Sequence, residues 1–400
     1  MKYLPRVIDI KDEAAAQKEI EAIGVKEYGK RIMAPKGVFL CVKVSGVRPV
    51  AANIIKQEML SRGGEAAVSH GALDLSVKAT DILIFGTSRQ FSELLGKLKL
   101  HQFGLPELSK EISQALSNNE QCPPPIKCGR LMMKFGKRTY IMGILNVTPD
   151  SFSDGGRFVN TEDAIDHAIQ MEKDGADIID IGGESTRPGA RGVGALEELK
   201  RVIPVIKGLK GKINIPISID TTKSDVARAA VKAGASMIND ISGLHFDAKV
   251  GKVAADFGVP LVLMHIRGKP RTMQKDPKYK DLVGEIMSYL SDAIKVAESS
   301  GVKKEKIIVD PGVGFGKTVF QNLGLLRRLG ELRSLGRPVL VGTSRKSTIG
   351  KILDLPPEER VEGTAATVAA AIMRGADIVR VHDVRQMKRV AAMTDAIARA

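Results

Sequence analysis

Tryptophan is absent from this 400-residue chain, aromatic residues amount to 4%, and cysteine occurs three times. A single-stranded nucleic-acid surface needs aromatic stacking platforms interleaved with Lys and Arg on one face. The Lys and Arg residues here are instead spread along the chain, so the formal charge of +15 reads as solvated surface. A remainder of it would attract an anionic small substrate, and nucleic acid is not an expected partner. Three cysteines do not make a disulfide framework. Cys122 and Cys128 are too widely spaced for a C-x₂-C metal knuckle and Cys41 is remote, so free thiols in a cytoplasmic protein are expected. No window approaches the ~18 uninterrupted apolar residues of a membrane span. The first residues soon meet Asp9, Lys11, Asp12 and Glu13, which leaves no room for a signal-peptide apolar region. What remains, with 43% apolar and 27% charged residues, has the balance of a globular protein.

The length exceeds a single core, so one smaller and one larger domain are expected. Residues 1–122 read as a compact α/β unit, with helices over 14–23, 51–60, 92–98 and 108–116 and strands over 37–44 and 81–86. Pro123, Pro124 and Pro125 can continue neither a helix nor a central strand, so 123–136 reads as a stiff linker. From 137 to 400 short apolar strands alternate with amphipathic helices. The strands fall at 140–147, 178–182, 215–220, 237–241, 260–265, 307–310, 338–342 and 378–382, and Gly175, Gly234 and Gly375 close helices before the next strand. This is the rhythm of a (β/α)₈ TIM barrel, α/β in class. A doubly wound open sheet is the alternative. The eightfold count, with an acid or amide at so many strand ends, favours the barrel.

The active face of such a barrel is its C-terminal strand face. Asn146, Asp180, Asp220, Asn239, His265, Asp310, Ser344 with Lys346, and Arg380 with His382 all lie there. Any one alone is more often a turn or helix cap; together they are a site. Carboxylates and carboxamides suit a ligand rich in N–H donors and ring acceptors, such as an amino-oxo heterocycle. Asp220 and Asp310 would accept from ring and exocyclic N–H, and Asn239 can donate and accept. Lys346, Arg380 and His382 suit a phosphate-type leaving group. Asn146 and Asp154 are oxygen ligands of the kind Mg²⁺ uses beside phosphates.

Two strand-end loops, 148–156 around Phe152 and 183–194 around Arg187 and Pro188, exceed the usual 2–6 residues of a βα connection and read as lids over a second substrate. The segment 310–318 imitates a P-loop, but Pro311 stands where the first Gly belongs. Glu184 reads as a base, a cap or a loop-ordering residue. His167 and His245 read as ordinary helix or loop residues. Gly86-Thr-Ser-Arg-Gln90 echoes Gly342-Thr-Ser-Arg-Lys346; either the first is a second anion site or two strand-to-helix turns share small residues by chance.

From about residue 137 to the end, the chain resembles the dihydropteroate synthases of the folate pathway. The resemblance rests on 142–156, 180–190, 218–221, 238–241, 263–265, 310–317, 343–347 and 380–383, in the family's order. It implies condensation of 6-hydroxymethyl-7,8-dihydropterin diphosphate with 4-aminobenzoate by a dissociative route with Mg²⁺. It further implies that Asp180, Asp220, Asn239, Asp310 and Lys346 bind the pterin, with Met264 as an apolar wall. Asn146, Arg380 and His382 would hold the diphosphate, and Asn146 and Asp154 the metal. Phe152, Thr186, Arg187, Pro188, Phe315, Lys346 and Ser347 would form the aminobenzoate pocket and lids, also the sulfonamide pocket. Asp220, Asp310, Lys346, Arg380 and His382 would carry the chemistry, in a barrel-to-barrel homodimer. Arg191 to Gly194 depart from a more acidic family pattern in the second loop. A pterin-dependent methyltransferase serving a corrinoid protein and a non-catalytic pterin-binding module are the other readings. The diphosphate-end set of Asn146, Arg380 and His382 argues against the first, since methyl transfer has no diphosphate to hold. The intact strand-end positions argue against the second.

Overall fold

The computed structural model describes residues 3–148, 161–185 and 192–398. Two compact units divide the chain, Met1–Glu120 and Gln121–Ala400. Among the described residues, no helix is long and apolar enough to cross a membrane.

The first unit is a three-stranded antiparallel sheet with helices. Its strands are β1 (Phe39–Val47), β2 (Glu65–Val68) and β3 (Thr80–Thr87), in the order β1-β3-β2. Burial along β3 alternates, as it does in a strand with one face on a core. Ile82 and Ile84 pack there with Ile55, Met59, Phe91, Leu94 and Leu98 of the helices Pro49–Leu60 and Ser88–Leu98. Helix Glu27–Gly37 and strand β2 are additions to the sequence expectation. Gly29, Pro35 and Gly37 hide that helix, because each is a poor helix former. The echo at Gly86–Gln90 resolves as a helix cap. Thr87 and Gln90 form a reciprocal capping box, which spends their polar groups on the backbone.

The second unit is an eight-stranded parallel (β/α)₈ barrel entered by a hairpin. Residues 123–136, expected as a linker, form β4 (Ile126–Cys128) and β5 (Leu131–Met133) in antiparallel pairing. Gly129, with φ 56°, makes the tight turn between them. The prolines gave no sign of this, because the deciding feature is which residues are covered. Ile126, Cys128, Met133 and Phe135 are buried against Tyr140, Met142, Ile178, Met237, Val262, Ile308, Leu340 and Ile378 inside the barrel. The hairpin is therefore a plug at the N-terminal end of the barrel. Burial pushes the Cys128 thiol up to about 12, leaving it an inert core group.

The barrel strands are β6 (Tyr140–Asn146), β7 (Ile178–Gly182), β8 (Ile217–Asp220), β9 (Met237–Asp240), β10 (Leu261–Met264), β11 (Ile307–Asp310), β12 (Leu340–Val341) and β13 (Ile378–Val381). They run in the order β11-β10-β9-β8-β7-β6-β13-β12, and a bridge between Val309 and Val339 joins the two ends. Register sets the site. Asn146 pairs with Gly182, Gly182 with Asp220, and Asp220 with Asn239, so three polar residues share one level at the C-terminal rim. Met264 and Asp310 are likewise partners. Gly182 lies between them, and a Cβ there would make only ordinary contact with Asn146 Oδ1 and Asp220 Oδ2, 3.8 Å from each.

Candidate active site

Arg380 on β13 reaches across the barrel. Its Nε donates to Asp180 Oδ2 at 2.6 Å and its Nη2 to Asp220 Oδ2 at 2.8 Å. Asn239 Nδ2 donates to the same Asp180 oxygen at 3.0 Å. Asp180 is fully buried, and among the described residues its second oxygen has no hydrogen-bond partner. A buried, unmatched carboxylate oxygen is costly, and an N–H donor from a ligand would satisfy it. Burial opposes the Arg380 charge, but Asp180 and Asp220 outweigh it and raise its pKa. Burial pushes Asp220 up to about 7, with Arg380 opposing and Asp180 assisting.

Asp310 closes the other side. It accepts from Gly312 N at 2.7 Å, and burial raises its pKa against the pull of Lys346. Burial likewise lowers Lys346 to about 8, with Asp310 opposing and Arg380 assisting. The Lys346 ammonium donates to the Val313 carbonyl and stands 4.7 Å from the centre of the Phe315 ring. Phe315 packs in one apolar cluster with Ile241, Met264, Ile266 and Met273. Met264 and Phe315, assigned to different pockets on sequence grounds, thus belong to one wall. Ser347 opens the short helix Ser347–Leu353 and is exposed. His382 donates through its backbone N–H to Ser344 Oγ at 3.1 Å, and its Nδ1 lies 3.0 Å from the same oxygen.

Several supporting residues either have another reading from sequence, as His265 does, or none, as with Lys317, Lys223 and Glu198. His265 does not join the site: it is buried, and its Nδ1 lies 2.9 Å from Lys317 Nζ. Burial, aided by the neighbouring Lys317, drives His265 down to about 2, so it is a neutral acceptor. Lys317 also donates to the carbonyls of Gly312 and Phe315, at 2.8 and 3.0 Å. Its Nζ thus ties down the loop that imitates a P-loop, and burial holds its pKa well below the usual lysine range. Gly312 and Gly316 are required there, since a Cβ at 312 would meet the His265 carbonyl at 1.9 Å. Glu184 acts as a loop-ordering residue. It accepts from Val193 N at 3.2 Å and from Lys223, and Lys223 also donates to the fully buried Glu198 at 2.6 Å. No local pattern announces that trio, because its members are up to 39 residues apart. His245, read as unremarkable, stacks on Tyr289 with ring centres 4.0 Å apart. It lines a cavity of about 500 Å³ with Asp220, Thr221, Lys223, Ile241 and Phe246.

Asn146 lies at the end of β6, half-buried. Phe152, Asp154, Thr186, Arg187 and Pro188 lie outside the described residues. Among the described residues, no group of three or more His, Cys, Asp or Glu side chains could hold a metal ion. Asn146 offers one hard oxygen ligand, which suits Mg²⁺ only in company with substrate oxygens.

The perturbed pair Asp220 and Lys346 sets an expected pH profile. Ionised Asp220 can accept from a ligand N–H, and protonated Lys346 can supply charge. The rate at limiting first substrate is therefore expected to rise through about 7 and fall through about 8. A Lys346→Arg variant that keeps activity should move the alkaline limb upward. A flat kcat/KM between pH 6 and 9 would contradict this assignment.

A parallel barrel with a buried carboxylate–amide base and a cationic rim defines a heterocycle-binding enzyme class, and residues 142–382 match the family described as pterin binding enzymes. The dihydropteroate synthase of a Synechocystis strain is 56% identical over 276 residues, covering 69% of this chain and 96% of that one. Solved structures of the Xanthomonas albilineans dihydropteroate synthase match the fold. The one with 4-aminobenzoic acid is 44% identical, covers 70% of this chain and 99% of that one, and has a TM-score of 0.64. The one with 7,8-dihydropteroate is 41% identical, covers 69% and 100%, and scores 0.62. This chain belongs to the dihydropteroate synthase family. A probable bifunctional folylpolyglutamate synthase/dihydropteroate synthase of Halobacterium salinarum is 42% identical over 369 residues. That match covers 92% of this chain, so it runs into the first unit, and 44% of the archaeal protein.

Proposed function

We propose that this protein is a transferase of folate biosynthesis, condensing 6-hydroxymethyl-7,8-dihydropterin diphosphate with 4-aminobenzoate to give 7,8-dihydropteroate and diphosphate. The observation that carries the reading is Arg380, which links the Asp180–Asp220–Asn239 base to the strand that leads into His382. The heterocycle sits on the carboxylates, Asn239 and Asp310, against Met264. The diphosphate lies toward Asn146, Arg380 and His382. Asn146 and Asp154 would hold Mg²⁺ beside the diphosphate, where it would supply charge to neutralise the leaving group. Arg380 and His382 stabilise the departing diphosphate, while Asp220 and Asp310 stabilise the positive charge left on the pterin methylene. The aromatic amine attacks that carbon from the side of Phe315, Lys346 and Ser347. Phe152, Thr186, Arg187 and Pro188 complete the second pocket on this reading, which is also where a sulfonamide competes.

Three neighbouring helices, Val319–Arg327, Ser347–Leu353 and Val361–Met373, carry the exposed apolar residues Phe320, Ile352, Leu353 and Met373. That apolar surface supports a homodimer joined barrel to barrel. A cytoplasmic location is proposed on the kinship with dihydropteroate synthases. Residues 1–122 are proposed as an accessory domain. The test is product analysis: the purified chain with Mg²⁺ and both substrates is expected to yield dihydropteroate. Methyl transfer from a methylated pterin, with no dihydropteroate formed, would replace this reading with the corrinoid-linked one.

A further inference from the structure

Arg345 adopts a left-handed backbone with φ 55°, unusual for a long side chain, on the loop between Ser344 and Lys346. Such a conformation is strained for a residue with a Cβ and persists only where the surroundings over-determine it. They do so here. The Arg345 N–H donates to Thr364 Oγ1 at 3.1 Å, and its carbonyl accepts from Arg360 Nη1 at 2.9 Å. Arg360 in turn donates to the Leu355 carbonyl at 2.9 Å. A Cβ at Gly350 would fall 2.2 Å from the Arg360 guanidinium, so glycine is needed for that strut to exist.

Among the described residues, the strained backbone brings the side chain to Asp383. Arg345 Nε and Nη2 donate to the two carboxylate oxygens of Asp383, at 3.1 and 2.7 Å. Only 19% and 14% of the two side chains are exposed. A two-pronged pair of this kind fixes orientation as well as distance. Its position in the chain is the informative part. Ser344 precedes Arg345 and binds His382, while Asp383 follows His382. The loops after β12 and β13 are thus tied together twice, side by side; they carry Lys346 and His382, and Arg380 lies on the strand that leads into the second loop.

We propose that Arg345 and Asp383 form a positioning clamp for the diphosphate end of the site. The clamp holds the Lys346 loop and the His382 loop in one register. It also cancels the Asp383 carboxylate, which would otherwise stand one residue from His382 and repel the departing anion. This rests on the proposed synthase reading for the identity of the anion. Neither residue touches substrate on this account.

The test uses the full chain and three variants: Arg345→Asn, Arg345→Lys and Asp383→Asn. Asparagine tolerates the left-handed backbone, so Arg345→Asn removes the clamp without adding strain. Each variant is titrated with inorganic diphosphate in Mg²⁺ and assayed for kcat and for KM toward both substrates. Arg345→Asn and Asp383→Asn are expected to weaken diphosphate binding and lower kcat by about tenfold or more, the size of one charge-assisted contact. The KM for 4-aminobenzoate should stay within about twofold of the parent, a change too small for a lost contact. Arg345→Lys keeps the charge and should recover part of the diphosphate affinity. Folded Arg345→Asn and Asp383→Asn proteins that bind diphosphate like the parent would overturn the clamp, as would an equal loss toward both substrates. If the parent makes no dihydropteroate, the functional reading fails, while the diphosphate titration still decides the clamp.

Discussion

Replacing Arg380 by Met is expected to lower kcat by about 10³-fold or more, the size of a lost preorganised charge at a developing anion. Arg380 donates to both Asp180 and Asp220, and lies on the strand that leads into His382. Its loss leaves two buried carboxylates facing each other without a cation. Stability should fall as well, by about 3–5 kcal/mol, the usual result of removing one partner of a buried ion pair. The sign of its pH dependence follows from Asp220. The folded pKa is raised to about 7, so the stabilising contribution is full below the ordinary carboxylate range and is lost as pH rises through about 7. Without Arg380 the carboxylate is harder to ionise still. The stability gap between parent and variant, read by urea unfolding, should therefore be wider at pH 8 than at pH 5. A variant that unfolds like the parent at both pH values would remove Arg380 from this network.

The second large effect is expected at Asp310 and Lys346. Asp310→Ala removes a buried acceptor on the β11 rim, while Gly312 loses the partner that turns the following loop. Two charge-assisted hydrogen bonds to a pterin, about 1.5–3 kcal/mol each, make the affinity loss about 10²–10³-fold or more. Lys346→Met keeps much of the side-chain bulk and removes the ammonium that Val313 and Phe315 receive. It should cost a similar factor in kcat/KM for the pterin substrate. Its effect on 4-aminobenzoate should also be large, because Lys346 adjoins Phe315. Asp310→Ala should spare the 4-aminobenzoate KM measured at saturating pterin. Titration calorimetry and steady-state rates separate the two, and unchanged pterin binding in both variants would displace the site.

Much of the fold was legible because a parallel barrel repeats one local rule. Each strand is a short apolar run, buried on both faces, that ends where the register meets water. Asn146, Asp220, Asn239 and Asp310 stand out for that reason, and the register puts the first three at one level. The irregular parts were not legible, for physical reasons that differ. β12 is only Leu340–Val341, too short for any periodicity to mark its limits. The hairpin Ile126–Met133 looks like linker because its burial comes from the barrel end, not from its own pattern. Helix Glu27–Gly37 forms despite two glycines and a proline. The supports of the site are pairings between distant segments, such as Lys317 with His265, Lys223 with Glu198, and Arg345 with Asp383. Strand ends declare the residues that face the ligand. They do not declare which side chains hold those residues still.

The central claim is that one cavity holds a heterocycle at its carboxylate base and an anion at its Arg380–His382 rim. The most direct measurement is equilibrium titration of the intact chain, with Mg²⁺, against 6-hydroxymethyl-7,8-dihydropterin with and without its diphosphate. The account predicts that both ligands bind at the same site, and that the diphosphate form binds about 10²-fold more tightly or better, as charge-assisted contacts allow. In the Arg380→Met variant that advantage should vanish. Equal affinity for the two ligands in the parent, or an advantage that survives loss of Arg380, would contradict it.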